Sequence, residues 1–230
     1  LHKHDRWRLL GAYSDSLSFF DIETTGLGWD AQVTVVVCWH RGSLHAFVNG
    51  ENLDAFLELL DDVTLMVSFN GSTFDVPRIT GHFNIPTFPC PHIDLRWLCH
   101  HHGLRGGLKQ VENHLEVGRP ADLEGVDGAE AVRLWHIWEI SGDRRARDRL
   151  ERYCAADVLA LRAIVAQLLN RQAPGLCSLD PAAVWKEIGA APPDVPAPQP
   201  QAEPARSHTG LLGADTRRRL RDRLRGRKAY

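Results

Sequence analysis

The sequence predicts an α/β domain in which five strands form a sheet flanked by helices. Three observations point there: apolar runs of strand length recur as far as residue 95, three prolines set the last of them apart, and a long amphipathic helix closes the second half. With 230 residues, 43% of them hydrophobic and 24% charged, the chain has the composition of a globular protein with one sizeable core.

The elements follow in order. Strand signals cover 17–22, 33–39 (Val-Thr-Val-Val-Val-Cys-Trp), 43–48 and 63–68, and His40-Arg41-Gly42 supplies a hairpin turn. The first three strands read as an antiparallel meander. Asn52 can cap a short helix from Leu53 to Leu60, and a second short helix is expected from Phe74 to Phe83. Pro86, Pro89 and Pro91 enforce an extended link to a fifth strand at Ile93-Asp94-Leu95. From Gly142 onward, Leu150, Tyr153, Cys154, Asp157, Leu161, Ile164 and Leu168 follow helical spacing, and the pattern ends near Pro174-Gly175. Residues 1–14 read as an N-terminal extension, 15–189 as the domain, 190–206 as a Pro/Ala-rich linker and 207–230 as a basic tail.

Charge is unevenly placed. Residues 1–202 hold 18 Lys+Arg and 26 Asp+Glu, whereas 203–230 hold 9 and 3, so an acidic body precedes a basic end. An acidic body does not attract nucleic acid by itself, but a metal-binding carboxylate cluster would account for part of that charge. The tail suits a phosphate-binding arm, a solvated end or a helix for a partner protein. Five cysteines without regular spacing argue against a secreted disulfide framework, and the polar, basic opening lacks a secretory signal, so a cytoplasmic location is expected. The apolar stretches read as strand-sized, and no membrane association is expected.

The chemistry begins at Asp21-Ile22-Glu23-Thr24-Thr25-Gly26. In a strand, residues two apart point to one face, so Asp21 and Glu23 converge. Two carboxylates so close repel, and the pair is comfortable only with a cation between them or with one of them protonated. Asp75, in Asn70-Gly71-Ser72-Thr73-Phe74-Asp75, falls at a helix start beside the strand of Asp21, where the helix dipole alone would also favour a carboxylate. Asp157 shares a helix face with Tyr153, four residues before it, and sits among apolar neighbours where an ionised carboxylate needs a partner.

Asp-x-Glu-Thr-Thr-Gly at 21–26, Asn-x3-Phe-Asp at 70–75 and Tyr-x3-Asp at 153–157 together resemble the DEDD (DnaQ-like) superfamily of 3′–5′ exonucleases, in its tyrosine subgroup. His92-Ile93-Asp94-Leu95 and Gly107-Leu108-Lys109-Gln110-Val111-Glu112 are similar to the YprB-like ribonuclease H-like domain. The resemblance covers about residues 15–170 and implies a ribonuclease H-like mixed five-stranded sheet flanked by helices. It implies that Asp21, Glu23, Asp75 and Asp157 bind two divalent cations, Mg²⁺ or Mn²⁺, with Tyr153 orienting the attacking water. The implied partner is nucleic acid, as a single strand or 3′ end, cut to 5′-mononucleotides. Thr24, Thr25, Gly26, Leu27 and Asn70 are the implied substrate contacts, although each also suits a turn or cap. The alternative is a non-catalytic nucleic-acid-binding module on the same scaffold. Protein partners are not legible.

Other candidates carry less. Cys90-Pro91-His92 and Cys99-His100-His101-His102 offer zinc-type ligands without knuckle spacing. Trp135, His136 and Trp138 sit at core spacing, and Lys109 suits a phosphate contact or a solvated lysine.

Overall fold

The structure, a computed structural model, describes residues 2–123 and 125–189 together with Ala191. The basic tail and, Ala191 apart, the linker lie outside the described residues. Five strands, β1 (Leu17–Thr24), β2 (Val33–His40), β3 (Ser43–Val48), β4 (Leu65–Ser68) and β5 (His92–Asp94), form one mixed sheet in the order β3-β2-β1-β4-β5. β1 runs antiparallel to β2 and parallel to β4, and β4 is parallel to β5. The helices are α1 (Trp7–Ala12), α2 (Ala55–Leu60), α3 (Asp75–His82), α4 (Leu95–His101), α5 (Leu108–His114), α6 (Gly128–Ser141) and α7 (Arg144–Gln172).

Strand periodicity sorts the sheet into two cores. Leu17 and Phe19 of β1, with Val35 and Val37 of β2, join the core that α7 covers. Phe20 and Ile22, with Val36 and Cys38, join a second core containing Phe56, Leu57 and Ile79 from α2 and α3. β2 is therefore apolar on both faces, as a strand covered on both sides must be. Continuing the alternation, Asp21 and Glu23 fall on the α7 side, opposite Val37 and Val35. The β1–β2 register shifts between Glu23 and Thr24, ending the regular ladder at the carboxylates.

Helix α7 supplies the central layer. Gly142, at φ 68°, ends α6, and the Asp143 side chain accepts the Arg145 amide to start α7. By length and composition α7 could cross a membrane, which corrects the expectation that the apolar stretches are only strand-sized. Yet 89% of its apolar window is buried inside the protein, the condition of a core helix. None of the five cysteines forms a disulfide among the described residues.

Several details depart from the sequence reading. Asn52 does not cap α2: its Oδ1 accepts the Val48 amide and its Nδ2 donates to the Ala46 carbonyl, because the chain turns back on β3 there. Leu95 opens α4 instead of ending β5, with Asp94 as the capping side chain. Ahead of residue 15, α1 places Leu10 in the α7-side core. Pro181–Ile188 forms a 3₁₀ helix on α7 that buries Val184.

A buried carboxylate site with an arginine at its edge

β1 brings Asp21 and Glu23 to the α7 face, α3 starts with Asp75 beside the end of that strand, and α7 contributes Tyr153, Cys154 and Asp157. Ligand atoms of Asp21, Glu23 and Cys154 lie within 4.8 Å of one another, and the Cys154 thiol donates to the Asp21 carbonyl at 3.4 Å. Glu23, Asp75, Tyr153 and Asp157 are buried.

The electrostatics show a cluster short of positive charge. Burial pushes Asp21 well above the usual carboxylate range, and the charges of Asp157, Asp75 and Glu23 push it further. Burial acts on Glu23 in the same way, reinforced by Asp157 and Asp75 and relieved only in part by Lys109. Asp75 is pushed up to about 7, first by burial, then by Asp94 and Asp157, against backbone amides that favour its ionised form. The Tyr153 phenol rises by burial and by the neighbouring Asp157, Glu23 and Asp21, so it stays protonated. The four carboxylates offer oxygen donors that suit hard divalent ions, with the Cys154 thiol beside them and, among the described residues, fewer cations than acids. Among the described residues no zinc-type cluster of histidines and cysteines forms.

Two cations approach the cluster from the segment after β5. Lys109 donates to the Val126 carbonyl and lies 5.4 Å from the Tyr153 ring centre, neither bare in solvent nor on a site oxygen. Arg119 bonds both Glu112 and Asp157. Glu112, whose acid is also raised by burial despite Arg119, and Arg119 itself escaped assignment from sequence. Glu112 lies in the Gly-Leu-Lys-Gln-Val-Glu run, but an arginine in a loop before a proline carries no periodic signal.

The residues expected to touch substrate have local duties. The Thr24 hydroxyl donates to the Gly26 carbonyl at 2.6 Å, and Thr25 Oγ1 accepts the Gln32 amide at 3.0 Å. Asn70 sits at φ 64°, and its Oδ1 receives the Thr73 hydroxyl and Arg96 Nη1, while its amide donates to Asp94. Asp94 also accepts the Ser72 and Arg96 amides, so one carboxylate fixes the turn that delivers Asp75. A Cβ at Gly71 would meet Ser68 Oγ at 1.8 Å, so a larger residue in that turn has to displace the Ser68 side chain. Leu27 is 85% exposed and Trp29 94% exposed. Their loop is tied to α3 all the same, because Arg78, three residues into α3, donates to the carbonyls of Leu27, Gly28, Trp29 and Ala31 at 2.6–3.2 Å.

Comparison with known proteins agrees with this architecture. A family B DNA polymerase from the hyperthermophilic archaeon Pyrobaculum calidifontis is similar in fold, with a TM-score of 0.51 and 16% identity over 67% of this chain. The matched part is 24% of that polymerase, so the likeness concerns a fraction of its length. No curated protein matches the chain. The RNase_H_2 family model, described as RNase_H superfamily, matches residues 18–169, the span that contains every carboxylate of the cluster. A match over that much of the sequence decides the family: the chain belongs to the RNase H superfamily.

Proposed function

We propose that this chain is a metal-dependent 3′–5′ exonuclease of the DEDD type, tyrosine subgroup, hydrolysing phosphodiester bonds of single-stranded DNA or RNA to release 5′-mononucleotides. The observation that carries the reading is the meeting of Asp21, Glu23, Asp75 and Asp157, from two helices and a strand, at a buried point where their charges act on one another. Structural carboxylates are normally matched one for one by cations when buried. These are not, and a pair of Mg²⁺ or Mn²⁺ ions supplies the missing charge. When bound, such ions activate water and neutralise the leaving 3′ oxygen.

The protein's own residues have separate tasks. Asp21 and Glu23, fixed by the ladder to β2, would hold the ions from the sheet strand. Asp75, locked through Asp94, and Asp157, held by Arg119, close the set from the helix side. In the metal-free protein burial and the neighbouring Asp157, Glu23 and Asp21 hold the proton on Tyr153, whose O–H suits orienting a water by hydrogen bonding. The loop bearing Leu27 and Trp29 leaves the same strand end, where two exposed apolar side chains suit the faces of unpaired bases.

The test uses 5′-labelled single-stranded DNA and RNA with Mn²⁺ or EDTA, beside Asp21→Ala. A metal-dependent ladder that shortens from the 3′ end and is lost in the variant is the expected result. Binding without cleavage of either polymer would sink the enzyme reading and leave a nucleic-acid-binding module.

A further inference from the structure

Arg119 lies in the loop after α5, yet its side chain is only 7% exposed. Its guanidinium makes a two-point bond to Glu112, with Nε to Oε2 at 2.6 Å and Nη2 to Oε1, and the same Nη2 donates to Oδ1 of Asp157. Nη1 is buried with no hydrogen-bond partner among the described residues, so the fork is placed by the two carboxylates and not by the fullest use of its donors. Glu112 is itself buried, and it already matches the single charge of Arg119 with a bidentate bond. Asp157 is thus a second carboxylate on one guanidinium, and the trio keeps an uncompensated negative charge.

We propose that Arg119 is a positioning residue that stands in for a divalent cation at Asp157: Glu112 anchors it, it orients and partly neutralises Asp157 in the metal-free protein, and an arriving ion competes with it for that carboxylate. The inference rests on the metal-dependent reading above. It adds to that reading an internal competitor which keeps the cluster folded before ions bind and sets how tightly they bind.

The test is Mn²⁺ binding to the full chain, followed by the electron paramagnetic resonance of free Mn²⁺, with melting temperatures in EDTA and in saturating Mn²⁺. Arg119→Met should bind Mn²⁺ roughly tenfold more tightly, the ratio that ~1.4 kcal/mol represents. It should melt below wild type in EDTA and recover in Mn²⁺. Arg119→Lys keeps the charge without the fork and should fall between the two. If Arg119→Met yields no folded protein, tighter Mn²⁺ binding by Arg119→Lys supports the proposal. Equal or weaker Mn²⁺ binding in the folded variants, with the same loss of melting temperature in both conditions, overturns it and leaves a purely structural ion pair. A wild-type chain that binds no Mn²⁺ overturns both this inference and the metal-dependent reading.

Discussion

Helix α7 buries charge in two different ways along its length. Arg152 meets Asp122 through two nitrogens at 2.8 and 3.0 Å and donates to the carbonyls of Ile188 and Gly189. Arg162 bonds Glu187 at 2.7 Å and stacks on Trp39, whose indole donates to the other oxygen of Glu187. These arginines are matched charge for charge, and they tie the 3₁₀ helix at 181–188 to α7, while Trp39 ties it to β2. Asp157, five residues from each, lies instead among Asp21, Glu23 and Asp75, with a shared arginine as its ion-pair partner among the described residues. Matched charge closes a fold, whereas unmatched charge is kept at a cost in stability and makes sense when a ligand completes it.

Exchanging the two kinds of residue should separate their effects most sharply. Asp157→Asn should lower turnover by ~10³-fold or more, since stabilisation by ions is worth several kcal/mol, while its melting temperature in EDTA holds. Arg152→Met should do the reverse. Leaving Asp122 without its partner costs ~3–5 kcal/mol for a buried pair, less here because Asp122 is part-exposed, and cleavage per folded molecule should be unchanged. Loss of cleavage by Arg152→Met well below its melting temperature would erase the distinction.

A smaller effect sharpens the same contrast through pH. Burial above all raises Asp75 from 3.8 to about 7, so the folded protein holds that proton more firmly than the unfolded chain. Its contribution to stability is therefore complete below 3.8 and is lost as pH rises through about 7. Asp75→Asn does not titrate, and in EDTA its melting temperature should gain on wild type as pH climbs across that window. Parallel melting curves would show that Asp75 is not held as a protonated acid. The smallest change is expected at Trp29. Trp29→Ala should weaken oligonucleotide binding by ~1–3 kcal/mol, the worth of one stacked base, and leave turnover of a small phosphodiester intact. Equal affinity of the two proteins by fluorescence anisotropy would remove Trp29 from the binding surface.

Much of the fold was legible because strands and helices write their period into the apolar pattern. Val33 to Trp39 carries the pattern of a strand, and the spacing through Leu150, Cys154 and Leu161 that of an amphipathic helix, while burial of the strand on both faces and of Arg152 and Arg162 on the helix came from packing. Errors fell where a side chain chose between two local partners. Asn52 turned from the helix to the backbone of β3, and Leu95 fell on the helix side of Asp94. Both are settled by contacts a few residues away that propensity does not rank.

By itself the sequence determined that Asp21 and Glu23 share a face, since alternation along a strand is a property of the backbone. It also determined that Tyr153 and Asp157 share a face of one helix. Only the tertiary structure decided which sheet face α7 covers, and hence that those two pairs meet. It alone placed Arg119 on Asp157 and Glu187 between Trp39 and Arg162, joining residues 38, 148 and 25 positions apart. Arg119 comes from a loop and Glu187 from a short 3₁₀ helix, where little periodicity constrains the residue type, and their choice follows from the charge left over once the elements have packed.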